Sequence, residues 1–239
     1  MNYLPDDYVD VIFADPPYML SNDGFTCHAG RMVPVYKGSW DKSGGFEEDL
    51  RFHEAWLTEA KRILKPNGTI WVSGTYHSIY QCGFLIQKLG FHVLNDIAWF
   101  KPNAAPNLSC RFFTASHETL IWARKDKKGK HFFNYDAIKE GAFPEDQLKK
   151  PDTQMRSVWS IATPKPDEKE FGKHPTQKPL ALLKRILLAS SKEGDIILDP
   201  FNGGGTTGIA SKILGKRKYI GIEVSREYVE LTKKRYRGI

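Results

Sequence analysis

At 239 residues, with 41% hydrophobic and 13% aromatic side chains, the chain carries enough apolar material for a full core, which excludes a disordered protein. Its formal net charge of +7 suits a polyanionic partner, while the lack of a long apolar run or a secretory signal excludes a membrane protein and predicts a cytoplasmic one. Cys27, Cys82 and Cys110 are scattered without metal-ligand spacing, so a reducing compartment and no metal are expected.

In chain order, the apolar run from Val9 to Ala14 predicts a buried parallel strand. A polar loop follows to Gly45, longer than ordinary connections and therefore expected to be functional. Phe46, Leu50, Leu57, Ile63 and Leu64 have helical spacing over 46–64, ended by Pro66-Asn67-Gly68. A strand over 69–73 and a helix over 76–89, stopped by Gly90, come next. Strands over 92–100 and 118–123 are joined by the loop 101–116, and periodicity fails over 124–173. Pro179 opens a helix to about residue 190. A strand at 195–198, a helix at 205–214, a strand at 219–222 and a helix at 225–237, capped by Ser225, complete the α/β alternation.

Two constellations lie at strand ends, where open α/β sheets bind ligands. The first is Asp15-Pro16-Pro17-Tyr18. Asp15 can accept a hydrogen bond from an exocyclic amine, and the Pro16 carbonyl can accept another from a position stiffened by two residues with no N–H. Tyr18 offers a flat face to an extruded base. The bland alternative is a proline turn with an Asp cap. The second is Asp199-Pro200-Phe201-Asn202-Gly203-Gly204-Gly205-Thr206-Thr207, which follows a strand and opens a helix, with Glu223 about 20 residues on. Glycines let a ligand approach the backbone, helix amides face it, and a carboxylate can accept from ribose hydroxyls. Neither G-x-G-x-x-G nor a Walker loop is present. The choice is between a nucleoside-cofactor site and a tight structural βα turn.

With both constellations in this order, the chain resembles the amino-methylating DNA methyltransferases of the β type, in which the D-P-P-Y half precedes the target-recognition region and the cofactor half. The resemblance also rests on residues 103–125, His174-Pro175-Thr176-Gln177-Lys178-Pro179 and Ile220-Gly221-Ile222-Glu223. Residues 106–111 and Phe133-Asn134-Tyr135-Asp136 look closest to the accessory adenine methylases of DpnII-type restriction systems, which act on GATC. The resemblance implies a Rossmann-like, S-adenosylmethionine-dependent fold in circularly permuted motif order. Its expected parts are a D-P-P-Y half at 1–124, an inserted target-recognition region at 125–173 and a cofactor half at 174–239.

The implied roles follow residue by residue. Asp15, Pro16, Pro17 and Tyr18 hold the target adenine and its N6 amine, with Asp15 also beside the cofactor. Asp199, Phe201, Asn202, Gly203, Gly205, Thr206 and Thr207 surround S-adenosylmethionine, and Glu223 binds its ribose. His174, Thr176 and Lys178 contact the methionine end or order the loop beside it. Arg111, Lys125, Lys127, Lys128 and Lys130 are the candidates for DNA contact, a solvated turn being the bland reading of the lysines. His77, His92 and His117 are expected to be structural, and Trp56, Trp71, Trp99 and Trp122 to be core. The implied partners are DNA, double- or single-stranded, and a cognate restriction endonuclease. N4-cytosine methylation is the second reading, although Ser more often stands there in place of Asp15, and a catalytically impaired DNA-binding relic is the third. Family members usually place another strand and helix before the first strand of this chain. Its lack is expected to leave an edge beside residues 219–222 exposed, with weak cofactor affinity or a homodimer as the consequence.

Overall fold

Alternating apolar residues decide which side of the sheet each strand feeds. In the computed structural model all residues are described except 22–24, 29–30, 35–37, 39–40, 142, 144–145, 147–149 and 151–152, with 25–28 and 31–34 described in backbone only. Strand β1 (Val9–Ala14) is followed by the hairpin β2 (Phe25–His28) and β3 (Arg31–Pro34), helix α1 (Phe46–Ile63), β4 (Leu64–Gly74), α2 (Ile79–Lys88), β5 (His92–Phe100) and β6 (His117–Arg124). Then come α3 (Tyr135–Glu140), β7 (Val158–Ser160), α4 (Leu180–Ser190), β8 (Ile196–Asp199), α5 (Thr206–Leu214), β9 (Lys218–Gly221) and α6 (Arg226–Arg237). Part of the polar loop after β1, with the Cys27 side chain, lies outside the described residues.

The main sheet has the order β7-β5-β6-β4-β1-β8-β9. β6 is antiparallel to both its neighbours and the other pairings are parallel. Val9, Ile12, Ala14, Ile70 and Val72 face α1 and α2, where Leu57, Ile63, Leu85 and Ile86 are fully buried. Val11, Phe13, Trp71 and Ile197 face the opposite layer, where Leu182, Leu183 and Ile186 of α4 meet Ala210 of α5. Each fully buried Leu or Ile contributes about 1.5–3 kcal/mol from removal of its surface from water. Trp56, Trp71, Trp99 and Trp122 are all buried, and Trp71 and Trp122 stack with centroids 4.8 Å apart.

Because β1, β4, β5, β8 and β9 all run one way, their ends gather Asp15, Gly74, Lys101, Pro200 and Ile222 along one edge. The start of β6 brings His117 and Glu118 to the same edge. β9 closes the sheet and pairs only with β8 among the described residues.

Three expectations need correcting. The aperiodic segment 124–173 contains α3 and β7, and β7 joins the main sheet beside β5. A three-residue strand and a six-residue helix are too short to leave a readable period. Ser225 stands at the N-cap of α6 but makes no side-chain cap there; its amide donates to Glu223 Oε1 at 2.9 Å. The lysine run does not reach the ligand edge. β6 carries the chain back across the sheet, so Lys125 sits at the opposite end, ion-paired with Asp7 and donating to the Leu64 carbonyl at 2.6 Å, and the Lys130 amide donates to Asn67 Oδ1 at 2.8 Å.

Candidate active site

The turn after β1 is organised by Asp41, a residue that carried no signal in the sequence. It is 2% exposed. The amides of Tyr18 and Met19 both donate to its Oδ1 at 2.9 Å, and the Ser21 hydroxyl donates to Oδ2 at 2.9 Å. Met19 takes a left-handed φ of 58° there. Orphan amides around a tight proline turn need an acceptor, and a buried carboxylate bridging across the following loop supplies it.

Asp15 ends β1 within a closed polar network. Lys178 Nζ donates to Asp15 Oδ2 at 2.5 Å, and Lys101 Nζ donates to Glu118 Oε1 at 3.0 Å. The Tyr18 hydroxyl lies 2.7 Å from Asp15 Oδ1 and 2.8 Å from Glu118 Oε2. Burial raises Asp15 from its ordinary value, against the pull of Lys178. Burial also pushes Glu118 up, but Lys178 and Lys101 outweigh it and hold Glu118 below its usual value. Burial works against the Lys178 charge, yet Asp15 and Glu118 overcome it and keep Lys178 protonated. Glu118 and Lys101 were not among the sequence-level candidates. The apolar alternation of β6 around Glu118 is their only trace, since a carboxylate at a strand start reads as a solvent-facing end.

Tyr18 is itself 8% exposed, and Lys178 Nζ stands 5.1 Å from its ring centroid. In this arrangement its hydroxyl is tied down and one ring face meets an ammonium.

The glycine loop between β8 and α5 lines a cavity of about 350 Å³, at the lower end of small-ligand sites. Asp15, Pro17, His174, Thr176, Lys178, Asp199, Phe201, Asn202, Gly203, Thr206, Thr207 and Glu223 all line it, so the two constellations and the His174–Lys178 stretch converge on one space. Gly205 stands behind the wall, with φ of 74°, where a Cβ would lie 2.5 Å from Thr232. Gly203 adopts φ of 48°, and a Cβ on it would come 3.1 Å from the His174 ring. Glu223 Oε2 accepts from the Gly203 amide at 2.8 Å. Asp199 accepts from the Thr207 hydroxyl at 2.5 Å and the Phe201 amide at 3.0 Å, and burial pushes it up to about 7. Phe201 packs edge-on against Trp56 at 5.4 Å and near Phe52 at 6.2 Å.

This donor set fits S-adenosylmethionine. Asp15, Asp199 and Glu223 offer carboxylates to a ligand with a sulfonium, an ammonium and ribose hydroxyls. Gln177 Oε1, buried in the wall, has no partner among the described residues. Phe201, Phe52 and Tyr228 supply apolar walls for a purine ring.

Of the DNA-contact candidates, Arg111 is exposed in the loop from Phe100 to His117 on the ligand edge, beside Phe112 and Phe113, which are 66% and 97% exposed. Lys125, Lys127, Lys128 and Lys130 stand at the far edge. The segment after β7 returns to the ligand edge, where the Thr163 amide donates to Asn103 Oδ1 at 3.1 Å.

A family model of N6/N4 methylases, described as DNA methylase, matches residues 9–234. The type II methyltransferase M2.DpnII of Streptococcus pneumoniae is 53% identical over 228 residues, covering 95% of this chain and 82% of that protein. M2.MboI of Moraxella bovis is 48% identical over all 239 residues and 84% of its own length. Among solved structures, the M1.HpyAVI complex with S-adenosylmethionine superposes with a TM-score of 0.67 at 30% identity, over 95% of this chain and 88% of that one. The cytosine-N4-specific PvuII methyltransferase shares the fold, with a TM-score of 0.74 at 18% identity over 98% and 82%.

Proposed function

Since the chain belongs to the N6/N4 DNA methylase family and uses S-adenosylmethionine to methylate DNA, we propose that its target is the N6 amine of adenine, at GATC, in a type II restriction-modification system. The observation that carries the adenine reading is the buried Asp15 carboxylate where the cytosine-N4 reading more often expects a serine, facing the same cavity as the glycine loop. The relative named for DpnII supports GATC, and the type II names of both relatives support a cognate endonuclease as partner. The free side of β9 is the edge to which a second copy would add.

The cofactor supplies a methyl group on a positively charged sulfur. Asp15 and the Pro16 carbonyl accept the two amine hydrogens and so aim the N6 lone pair across the cavity, and this alignment is the main source of rate. S-adenosylmethionine held by Glu223, Asp199 and the glycine loop would supply the methyl group to that lone pair and keep the C–S electrons on its sulfur, and Asp15 would take the surplus N6 proton. Burial, which raises the proton affinity of Asp15, suits it to that task. Lys178 holds the carboxylate in place, and Glu223 and Asp199 anchor the cofactor side of the same cavity. The loop 101–116 and the stretch 161–173 form the wall that meets DNA, with Arg111 at its rim.

Nucleoside mass spectrometry of DNA methylated by the purified enzyme tests the reading, with N6-methyladenine expected and protection confined to GATC. N4-methylcytosine as the product would replace it with the cytosine assignment, and no transfer at all would favour a DNA-binding relic.

A further inference from the structure

Tyr18 has one hydroxyl hydrogen and two carboxylate acceptors, Asp15 Oδ1 at 2.7 Å and Glu118 Oε2 at 2.8 Å, so it can donate to only one at a time. Asp15 is meanwhile occupied on both sides, by Tyr18 on Oδ1 and by Lys178 on Oδ2. A substrate amine that docks on Asp15 Oδ1 competes with the Tyr18 hydroxyl for that oxygen, and its approach is freest when the hydroxyl donates elsewhere. Lys178 is held by charge to Asp15 and stands 3.8 Å from Glu118, so it remains. Tyr18 is the donor that can turn away without being left unsatisfied in a buried place, because Glu118 is already within hydrogen-bond reach.

Resting on the adenine-N6 reading, we propose that Glu118 is a positioning residue for methyl transfer, accepting the Tyr18 hydroxyl when the target amine takes its place on Asp15. The Tyr18 hydroxyl is then a two-position donor. In the DNA-free enzyme it helps satisfy Asp15; in the loaded enzyme it bonds Glu118, which fixes the tyrosine ring beside the base. An acceptor in that role must present a fixed oxygen to the hydroxyl, and the surroundings of Glu118 provide for this. Lys101 binds its Oε1, Lys178 lies 3.8 Å from Oε2, and Ser73 Oγ sits 3.5 Å from the Tyr18 hydroxyl. Without Glu118 the hydroxyl would have to stay on Asp15 and compete with the amine, or be buried without a strong acceptor.

The test is a double-mutant cycle on the single-turnover rate at saturating DNA and cofactor, using Glu118→Leu, Glu118→Gln and Tyr18→Phe. Glu118→Leu should slow transfer about tenfold or more in the wild-type background but less than about threefold when Tyr18 is Phe, because the hydroxyl it serves is gone. Glu118→Gln keeps an acceptor and should recover most of the rate. It also removes a charge that raises Asp15, so the acid limb of the rate profile should move to lower pH. Equal costs of Glu118→Leu in both backgrounds would overturn the proposal. If Glu118→Leu fails to bind cofactor, the isosteric Gln variant decides, and an unmoved acid limb then counts against it. Product analysis of the wild-type enzyme keeps the two readings apart. N4-methylcytosine would sink the adenine assignment while the Tyr18–Glu118 coupling could still be read on that product, and N6-methyladenine without coupling would sink this inference alone.

Discussion

Lys178 donates to Asp15 across 163 positions of sequence, at 2.5 Å, with both side chains nearly buried. The pair joins the two halves of the site. Asp15 ends the strand that carries the D-P-P-Y turn, and Lys178 ends the stretch that leads into α4 beside the glycine loop. Removing one member of such a pair leaves an uncompensated buried charge, so single substitutions here are expected to be costly.

Asp15→Ala should lower the rate of methyl transfer by roughly a hundredfold or more, because the amine loses its acceptor and the reaction its alignment. Cofactor binding should weaken but remain measurable by calorimetry, since Glu223 and the loop amides persist. Turnover close to wild type in a filter-binding assay would remove Asp15 from the mechanism.

The glycine loop gives a prediction about affinity. Gly203→Val forces a branched side chain into a left-handed backbone and against the His174 ring, and should raise the cofactor dissociation constant strongly. Glu223→Ala removes the acceptor of the Gly203 amide and should cost on the order of 1–3 kcal/mol of binding. Unchanged constants for both variants would place the cofactor elsewhere.

Burial pushes Asp199 up to about 7 in the folded protein, well above the ordinary aspartate value of 3.8. A raised folded value means that the native state holds the proton more tightly than the unfolded chain. The stabilisation this brings is full below about pH 4 and is lost as pH rises through about 7. Asp199→Asn should flatten this part of the stability profile of the cofactor-free enzyme, a difference on the order of 2–4 kcal/mol between its ends. Chemical denaturation of both proteins between pH 5 and 7, a window inside that range, is the check, and parallel profiles would contradict it.

Asp41→Ala should disorder the turn after β1, since four donors lose their acceptor. Asp41 does not line the cofactor cavity, so transfer should fall while the cofactor dissociation constant stays near that of wild type. A matching loss of cofactor affinity would show that the turn supports both halves of the site.

Replacing Lys127, Lys128 and Lys130 with Gln should leave DNA affinity and its salt dependence close to wild type, because they stand at the edge of the sheet away from Asp15. Arg111→Ala should weaken binding and lower the salt slope by about one. Titrations at several salt concentrations decide between the two edges, and a flattened slope in the lysine variant would return DNA to the far one.

The sequence by itself determined the local pieces. The apolar run of β1, the glycines before α5 and Glu223 after β9 announce their roles through short-range constraints, since strand alternation, left-handed backbone and a strand-end carboxylate are properties of neighbouring residues. The Rossmann-like fold and its permuted order followed from the family resemblance that those motifs carry. What the tertiary structure decided was direction and company. That β6 runs against its neighbours is not written in its own residues, yet it sends Lys125–Lys130 to the far edge and brings Glu118 to Tyr18. Asp41, Lys101 and Glu118 were invisible because each is an ordinary polar residue until chain segments 17 to 100 positions away supply its partners. Burial then turns those ordinary groups into a coupled network, and burial is a property of the packed fold, which no local window of sequence contains.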